Sequence, residues 1–286
     1  MSARRALKKV PAPDFDLRGT LASGQVFHWL QEGPGYTGVI GQEAIYVEQR
    51  GDSLFTNADP APVARYFSLD HPLAEIYSTF PDDPAMAAAL DYCRGMRIIR
   101  QPPWECLATF ITSSMKQVAH IAQISRTLRS RYGRQIGSPG AFAYPPPGRL
   151  ALLAESDLRA CALGYRAGNL LKTARTIAAG EVDLDSIRAL PDDEARETLC
   201  RLAGVGEKVA NCVLLFAYER VRAFPIDVWI ERVLREHYFK GKRKITAAKM
   251  RAFTQSYFGQ YGGYAQQYLF HHARSAARAK TRAQKP

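Results

Sequence analysis

An amine can attack carbon only while it is unprotonated, and the attack needs a neighbour that steadies the charge it creates. Lys208 and Asp227 are placed for such a division of labour. Lys208 follows the turn Gly204–Val205–Gly206–Glu207, at what reads as the first turn of a helix. Asp227, in Phe224–Pro225–Ile226–Asp227–Val228–Trp229, reads as the N-cap of the next one. The positive end of a helix disfavours an ammonium and favours a carboxylate. Nineteen residues separate the two, enough for one helix and a turn, so the chain can return Asp227 beside Lys208. Taken singly, a capping aspartate and a solvated lysine are the commoner roles. The pairing raises the chemical one.

The turn itself, Leu202–Ala203–Gly204–Val205–Gly206–Glu207–Lys208, lies between two helical patterns. Glycine admits positive φ and close approach of another backbone. The free N–H groups at the new helix start suit a phosphate. That is the physics of a helix-hairpin-helix element on DNA, although an ordinary αα turn shares the glycines.

The elements that must position these residues follow from periodicity. From Asp14 to about Asn57 the pattern is short and β-like, with Gly38–Val39–Ile40 and Ala44–Ile45–Tyr46–Val47 separated by glycine turns. Val63, Tyr66 and Phe67 suit a short helix; Met86, Ala89, Leu90 and Cys93 suit another after Pro84. Pro102–Pro103 opens a long helical region, interrupted by Ser113–Ser114–Met115–Lys116–Gln117. Beyond a Gly/Pro-rich loop, helices are expected near 149–162, 168–180, 193–202, 207–219, 227–238, 246–258 and 262–279. The fold class is α+β: a small N-terminal antiparallel sheet with helices (14–100), then a mainly helical body (101–275) containing the hairpin at 200–210. A flexible basic N-terminus (1–13) and a basic C-terminal tail (276–286) are expected to flank it.

Hydrophobic residues make up 47% and charged residues 23%, which excludes a disordered chain, and no apolar run approaches a membrane span. Lys and Arg number 39 against 27 acids, a formal charge of +12 that favours a polyanionic partner. Part of that charge, Arg274, Arg278, Lys280, Arg282 and Lys285, reads as a solvated end. The five cysteines form no CxxC pair, which argues against zinc. None follows Cys212, which argues against a C-terminal iron–sulfur cluster. Nothing resembles a secretory signal, and the short termini suit a prokaryotic cytoplasm with the protein on the nucleoid, or a nucleus if the source is eukaryotic.

The hairpin followed by Pro225–Ile226–Asp227 resembles the helix-hairpin-helix DNA glycosylase superfamily. Within it the chain resembles the 8-oxoguanine DNA glycosylase/lyases from about Leu17 to about Phe270. The supporting segments are Ser23–Gly24–Gln25–Val26–Phe27, Tyr66–Phe67–Ser68–Leu69–Asp70, Glu105–Cys106–Leu107, Leu163–Gly164–Tyr165–Arg166–Ala167 and Tyr264–Ala265–Gln266. The resemblance implies a monomer that acts on duplex DNA containing oxidised guanine, with no cofactor required for catalysis. It makes Lys208 the nucleophile at C1′ of the damaged nucleotide and Asp227 the group that stabilises the sugar cation. The Gly24 carbonyl would accept the N7 hydrogen that separates 8-oxoguanine from guanine. Gln266 would read the base edge, and Phe270 and Cys212 would hold its ring. Tyr165 and Arg166 would enter the duplex, Arg166 reaching the opposite cytosine, while Gly204 and Gly206 would approach a phosphate. Main-chain carbonyls of Cys200, Leu202 and Val205 would hold a structural monovalent or divalent cation.

The chain departs from the family pattern at three places, five residues in all. Met115–Lys116–Gln117 stands where an asparagine run is expected, His120 where a second arginine would read the opposite cytosine, and Trp229 where a histidine would follow the aspartate. These changes imply a weaker preference for cytosine opposite the lesion and one altered phosphate contact. The alternatives are an alkylpurine glycosylase of the same fold, which Lys208 argues against, and a non-catalytic hairpin module.

Overall fold

The computed structural model describes residues 6–114, 116–137, 140–241 and 245–283. Five antiparallel strands, β1 (Lys8–Pro11), β2 (Leu30–Glu32), β3 (Gly35–Ile40), β4 (Glu43–Arg50) and β5 (Ser53–Thr56), form one sheet in the order β1-β5-β4-β3-β2. The registers Val39↔Ala44 and Gln49↔Leu54 mark two tight hairpins, the kind of local pairing that short glycine turns produce. Alternation along the strands turns Val10, Ile45, Val47 and Leu54 inward, where they pack with Phe15, Leu17, Val63, Tyr66 and Phe67.

The helices are α1 (Leu17–Ala22), α2 (Pro60–Tyr66), α3 (Leu73–Ser78), α4 (Pro84–Cys93), α5 (Pro103–Ser113), α6 (Val118–Tyr132), α7 (Pro147–Ala151), α8 (Glu155–Arg159), α9 (Arg166–Ala178), α10 (Asp192–Cys200), α11 (Glu207–Ala217), α12 (Val228–Val233), α13 (Ala247–Tyr257) and α14 (Gly262–Ala283). Several begin where side chains or prolines satisfy the free N–H groups. Asp16, Asp59, Asp83, Asp227 and Thr246 each accept from the first turn, and prolines open α2, α4, α5 and α7. Helix α5 is buried along most of its length and packs against both α9 and α11, so it is the central member of the body.

The expected sheet followed by helices is present, with four local corrections. Lys8–Pro11 is not a flexible end: it pairs with β5 as an edge strand. Leu17–Ala22 is helical within the segment read as β-like, because Asp16 caps it. The helix expected over 149–162 is two short ones, α7 and α8, with Leu152, Leu153 and Ala154 between them. The residues read as a tail from 276 continue α14 to Ala283. The larger core also takes in Leu73, Ile76, Met86, Cys93, Met96 and Ile98, so a boundary at residue 100 does not divide the hydrophobic interior.

The two parts are joined by buried charge as well as apolar contact. Glu105 on α5 pairs with Arg129 on α6 and lies 3.3 Å from His28, which follows α1. Burial raises the Glu105 carboxyl while the Arg129 charge pulls it down; burial and Arg129 together hold His28 well below its ordinary range. Arg100 bonds both Asp70 and, at 2.7 Å, Glu219 beyond α11. Removing one partner of such a pair strands the other in low dielectric.

Candidate active site and nucleic-acid groove

The hairpin runs from α10 through residues 201–206 into α11. Gly204 has φ +79°, and a Cβ there would meet the Asn169 side chain at 2.8 Å, so conformation and space both call for glycine. Gly206 has φ −100° and open space around its would-be Cβ. It is the N-cap of α11, and no side chain caps that end. One glycine therefore shapes the turn, and the other leaves uncapped N–H groups open to an anion.

Lys208 is the second residue of α11 and is half-buried. Its Nζ stands 5.1 Å from the centre of the Phe110 ring, which stacks on Phe216 at 5.4 Å. This apolar floor under the amine comes from α5, where Phe110 is one of a run of core residues. Cys212 lies one turn further along α11. Burial pushes its thiol up to about 11, with the Lys208 charge pulling it down and the Asp227 carboxylate adding to the rise. Asp227 caps α12: its Oδ1 accepts from the N–H of Trp229 at 3.0 Å and of Ile230 at 2.9 Å, and neither bond uses Oδ2. Lys208, from the same helix, and Asp227, from the start of α12, thus both act on the Cys212 thiol.

A second group of candidate residues comes from α14 and the turn after α1. Gln266 is 4% exposed, and its Oε1 is buried without a hydrogen-bond partner among the described residues. Phe270, one turn on, is half-buried, and the guanidinium of Arg274 lies 5.3 Å from its ring. Gly24 has φ +90°; a Cβ there would sit 3.3 Å from Phe270 Cε1 and 2.8 Å from Arg274 Nη1. Gly24 therefore lies against Phe270 and Arg274, with Gln266 one turn before Phe270 on the same helix. An unpaired buried amide oxygen is costly unless a partner arrives.

A second cluster gathers at the C-terminus of α5. Tyr165, at the start of α9, is 60% exposed. Arg166 is 5% exposed, with its guanidinium 4.3 Å from the Tyr165 ring. Its Nε donates to the Ser114 carbonyl at 2.6 Å, its Nη2 donates to the same oxygen, and Nη1 reaches the Leu163 carbonyl. In this state Arg166 holds the segment after α5 instead of projecting outward. Lys116 is half-buried; Gln117 and His120 are exposed at the start of α6. Met115 lies outside the described residues. Trp229 is half-buried, with Arg232 5.3 Å from its ring.

Residues 8–107 match the N-terminal domain of 8-oxoguanine DNA glycosylase. A probable N-glycosylase/DNA lyase of Methanothermobacter thermautotrophicus is 30% identical, over 93% of this chain and 96% of its own length. The chain belongs to the 8-oxoguanine DNA glycosylase family. Another relative, an N-glycosylase/DNA lyase of Arabidopsis thaliana, is 31% identical over 92% of this chain and 78% of its own. Among solved structures, the 8-oxoguanine glycosylase/lyase of Clostridium acetobutylicum, in complex with duplex DNA carrying cytosine opposite 8-oxoguanine, superposes with a TM-score of 0.88. It is 28% identical and covers 95% of this chain and 98% of that one.

Against that family background, sequence reasoning missed three residues at the pocket. Phe110 and Cys106 were hidden in the ordinary helical periodicity of α5. Burial holds the Cys106 thiol well above its usual range, with Cys212 and Lys208 both close enough to act on it. Arg274 was read as a solvated tail charge and is buried instead. Its spacing of four from Phe270 and eight from Gln266 was the signal that could have placed it on the same helix face.

Proposed function

We propose that this chain is a bifunctional DNA glycosylase that excises 8-oxoguanine from duplex DNA and then cleaves the strand at the abasic site, working as a monomer in base excision repair. The observation that carries this reading is Lys208, set at the start of α11 above the Phe110 ring with Asp227 held at the neighbouring helix start.

The damaged nucleotide is turned out of the stack into the space between α11 and α14, because its C1′ is out of reach within the duplex. There Cys212 and Phe270 hold the ring, Gln266 offers its unpaired oxygen to the base edge once its side chain turns outward, and the Gly24 carbonyl takes the N7 hydrogen. The Lys208 amine attacks C1′ as the glycosidic bond breaks, and that bond's electron pair leaves with the base. Asp227 stabilises the positive charge that develops on the sugar. The amine loses its proton, the sugar ring opens, and a Schiff base forms between Nζ and C1′. Loss of a proton from C2′ then expels the 3′ phosphate oxygen, and water releases the enzyme.

The charge of +12 serves binding to the phosphate backbone. Tyr165, Lys116, Gln117 and His120 face the gap and the opposite strand, Arg166 joins them by exchanging the Ser114 carbonyl for a base edge, Gly204 and Gly206 give the hairpin to a phosphate, and Trp229 stands near the damaged strand. No cofactor enters the chemistry. The carbonyls of Cys200, Leu202 and Val205 would hold a structural cation at the hairpin, where it would add positive charge beside the bound phosphate. The Val205 N–H already occupies one lone pair of the Leu202 oxygen at 3.1 Å, which leaves the other. Among the described residues no helix is long and apolar enough to cross a membrane. A prokaryotic cytoplasm with access to the nucleoid is the compartment this activity needs, or the nucleus in a eukaryote.

Incubating the protein with a duplex holding a single 8-oxoguanine and analysing both free base and strand length tests the reading. Release of 8-oxoguanine with a β-elimination product is expected. Salt-sensitive binding without base release would instead make the chain a hairpin binding module.

A further inference from the structure

Arg274 is 5% exposed, inside a helix whose neighbouring charges, Arg278 above all, repel it. Burial lowers its guanidinium to about 10, with the Asp227 carboxylate among the groups pulling it back up. Among the described residues only Nη2 has hydrogen-bond partners: it donates to the Ala22 carbonyl and lies 3.3 Å from His271 Nδ1. Nε and Nη1 are buried with no partner among the described residues. A solvated tail arginine would pair all its donors with water, so an arginine held here half-satisfied is paying a desolvation cost for its position.

That position is the joint between the two parts of the base-binding wall. Ala22 is two residues before Gly24, and Nη1 occupies the space a Gly24 side chain would need, 2.8 Å from the would-be Cβ. On its own helix the guanidinium covers the Phe270 ring. One cation thus ties the end of α1 to α14 and fixes the relative placement of the Gly24 peptide and the Phe270 ring. Close by, the Gln267 amide donates to the Ser23 carbonyl at 3.2 Å, so the same turn is held at two points.

We propose that Arg274 is a positioning residue for recognition of the oxidised base: by fastening the Ala22–Gly24 turn to α14 it sets where the Gly24 carbonyl points relative to Phe270. This rests on the excision activity proposed above. Arg274 need not touch the base. Its hydrogen bond acts on steps that use the base more than on those that use only the sugar, because α11 and α12 hold Lys208 and Asp227, and Arg274 reaches Asp227 through charge alone, which Arg274→Lys keeps.

The test compares Arg274→Met and Arg274→Lys with the unmodified protein on two duplexes, one holding 8-oxoguanine and one an abasic site, under single-turnover conditions. Loss of a charged hydrogen bond at a positioning group predicts a fall of about 10- to 100-fold in base excision for Arg274→Met. Arg274→Lys, which keeps a donor for the Ala22 carbonyl, should recover part of it. Abasic-site cleavage by the same preparations should fall less than about 3-fold. Parallel losses on both duplexes would mean that Arg274 only supports the fold, and unchanged excision would mean that the turn is fixed without it; either overturns the proposal. If the unmodified protein releases no 8-oxoguanine, the functional reading fails instead, and the unmodified arm alone reveals it.

Discussion

The proposed base pocket and the proposed opposite-strand face share helix α5 yet are built in different ways. In the pocket each functional group is fixed by a regular element: Lys208 by the first turn of α11, Asp227 by its cap on α12, and Gln266 and Phe270 by successive turns of α14. The opposite-strand face is carried by the end of α5, the residues that follow it and the start of α9. Its main cation, Arg166, is turned inward onto Ser114 and Leu163. Chemistry needs groups preorganised before the substrate arrives, which regular helix positions provide. Reading a partner strand tolerates side chains that exchange an internal carbonyl for a base edge on binding.

That contrast predicts a graded set of losses. Lys208→Gln should cost the most, about 10⁴-fold or more in single-turnover excision, since it removes the proposed nucleophile itself. Asp227→Asn should cost about 100- to 1000-fold. Its thermal melting should fall modestly at the same time, because the amide oxygen can still cap α12 but without the charge. Gly24→Ala should impair excision strongly while sparing abasic-site cleavage, since a Cβ there collides with Arg274 and strains a backbone at φ +90°.

On the opposite face the effects should be smaller and selective. With His120 where a second arginine would stand, we expect weak discrimination among the four bases opposite the lesion. His120→Arg should raise the preference for cytosine about 10-fold, the scale of one added bidentate contact to a base. If the unmodified protein already prefers cytosine as strongly as that variant, the exposed start of α6 does not read the opposite strand.

The smallest effect concerns stability. Burial holds His71 and His271 at about 4, below the ordinary value of 6.5. Between those values the unfolded chain binds protons that the folded chain refuses. Stability is therefore full above pH 6.5 and declines as the pH falls toward 4. Melting followed between pH 7.5 and 4.5 should show Tm falling below pH 6.5; a flat or rising Tm would show that these histidines gain no protons on unfolding.

The sequence was informative in proportion to how local the determining forces are. The α11 and α12 starts were legible because glycine, proline and a capping aspartate act over a few residues, and nineteen residues of spacing follow from helix geometry. Strands β3 and β4 were legible from alternation and glycine turns. Strand β1 was not, because four residues reading Lys8–Lys9–Val10–Pro11 form a strand only when β5 is there to receive them. Phe110 was indistinguishable from its core neighbours, since the ring serves the core and the amine at once. Arg274 was misread because charge signals solvent on average, and only the folded wall shows that its donors are enclosed.

The central claim is that Lys208 is the nucleophile. Borohydride added during turnover of an 8-oxoguanine duplex, followed by proteolysis and mass spectrometry of the cross-linked peptide, addresses it most directly. The account predicts a reduced sugar adduct on Lys208 and none in Lys208→Gln. An adduct on another residue, or one that persists in Lys208→Gln, would contradict it.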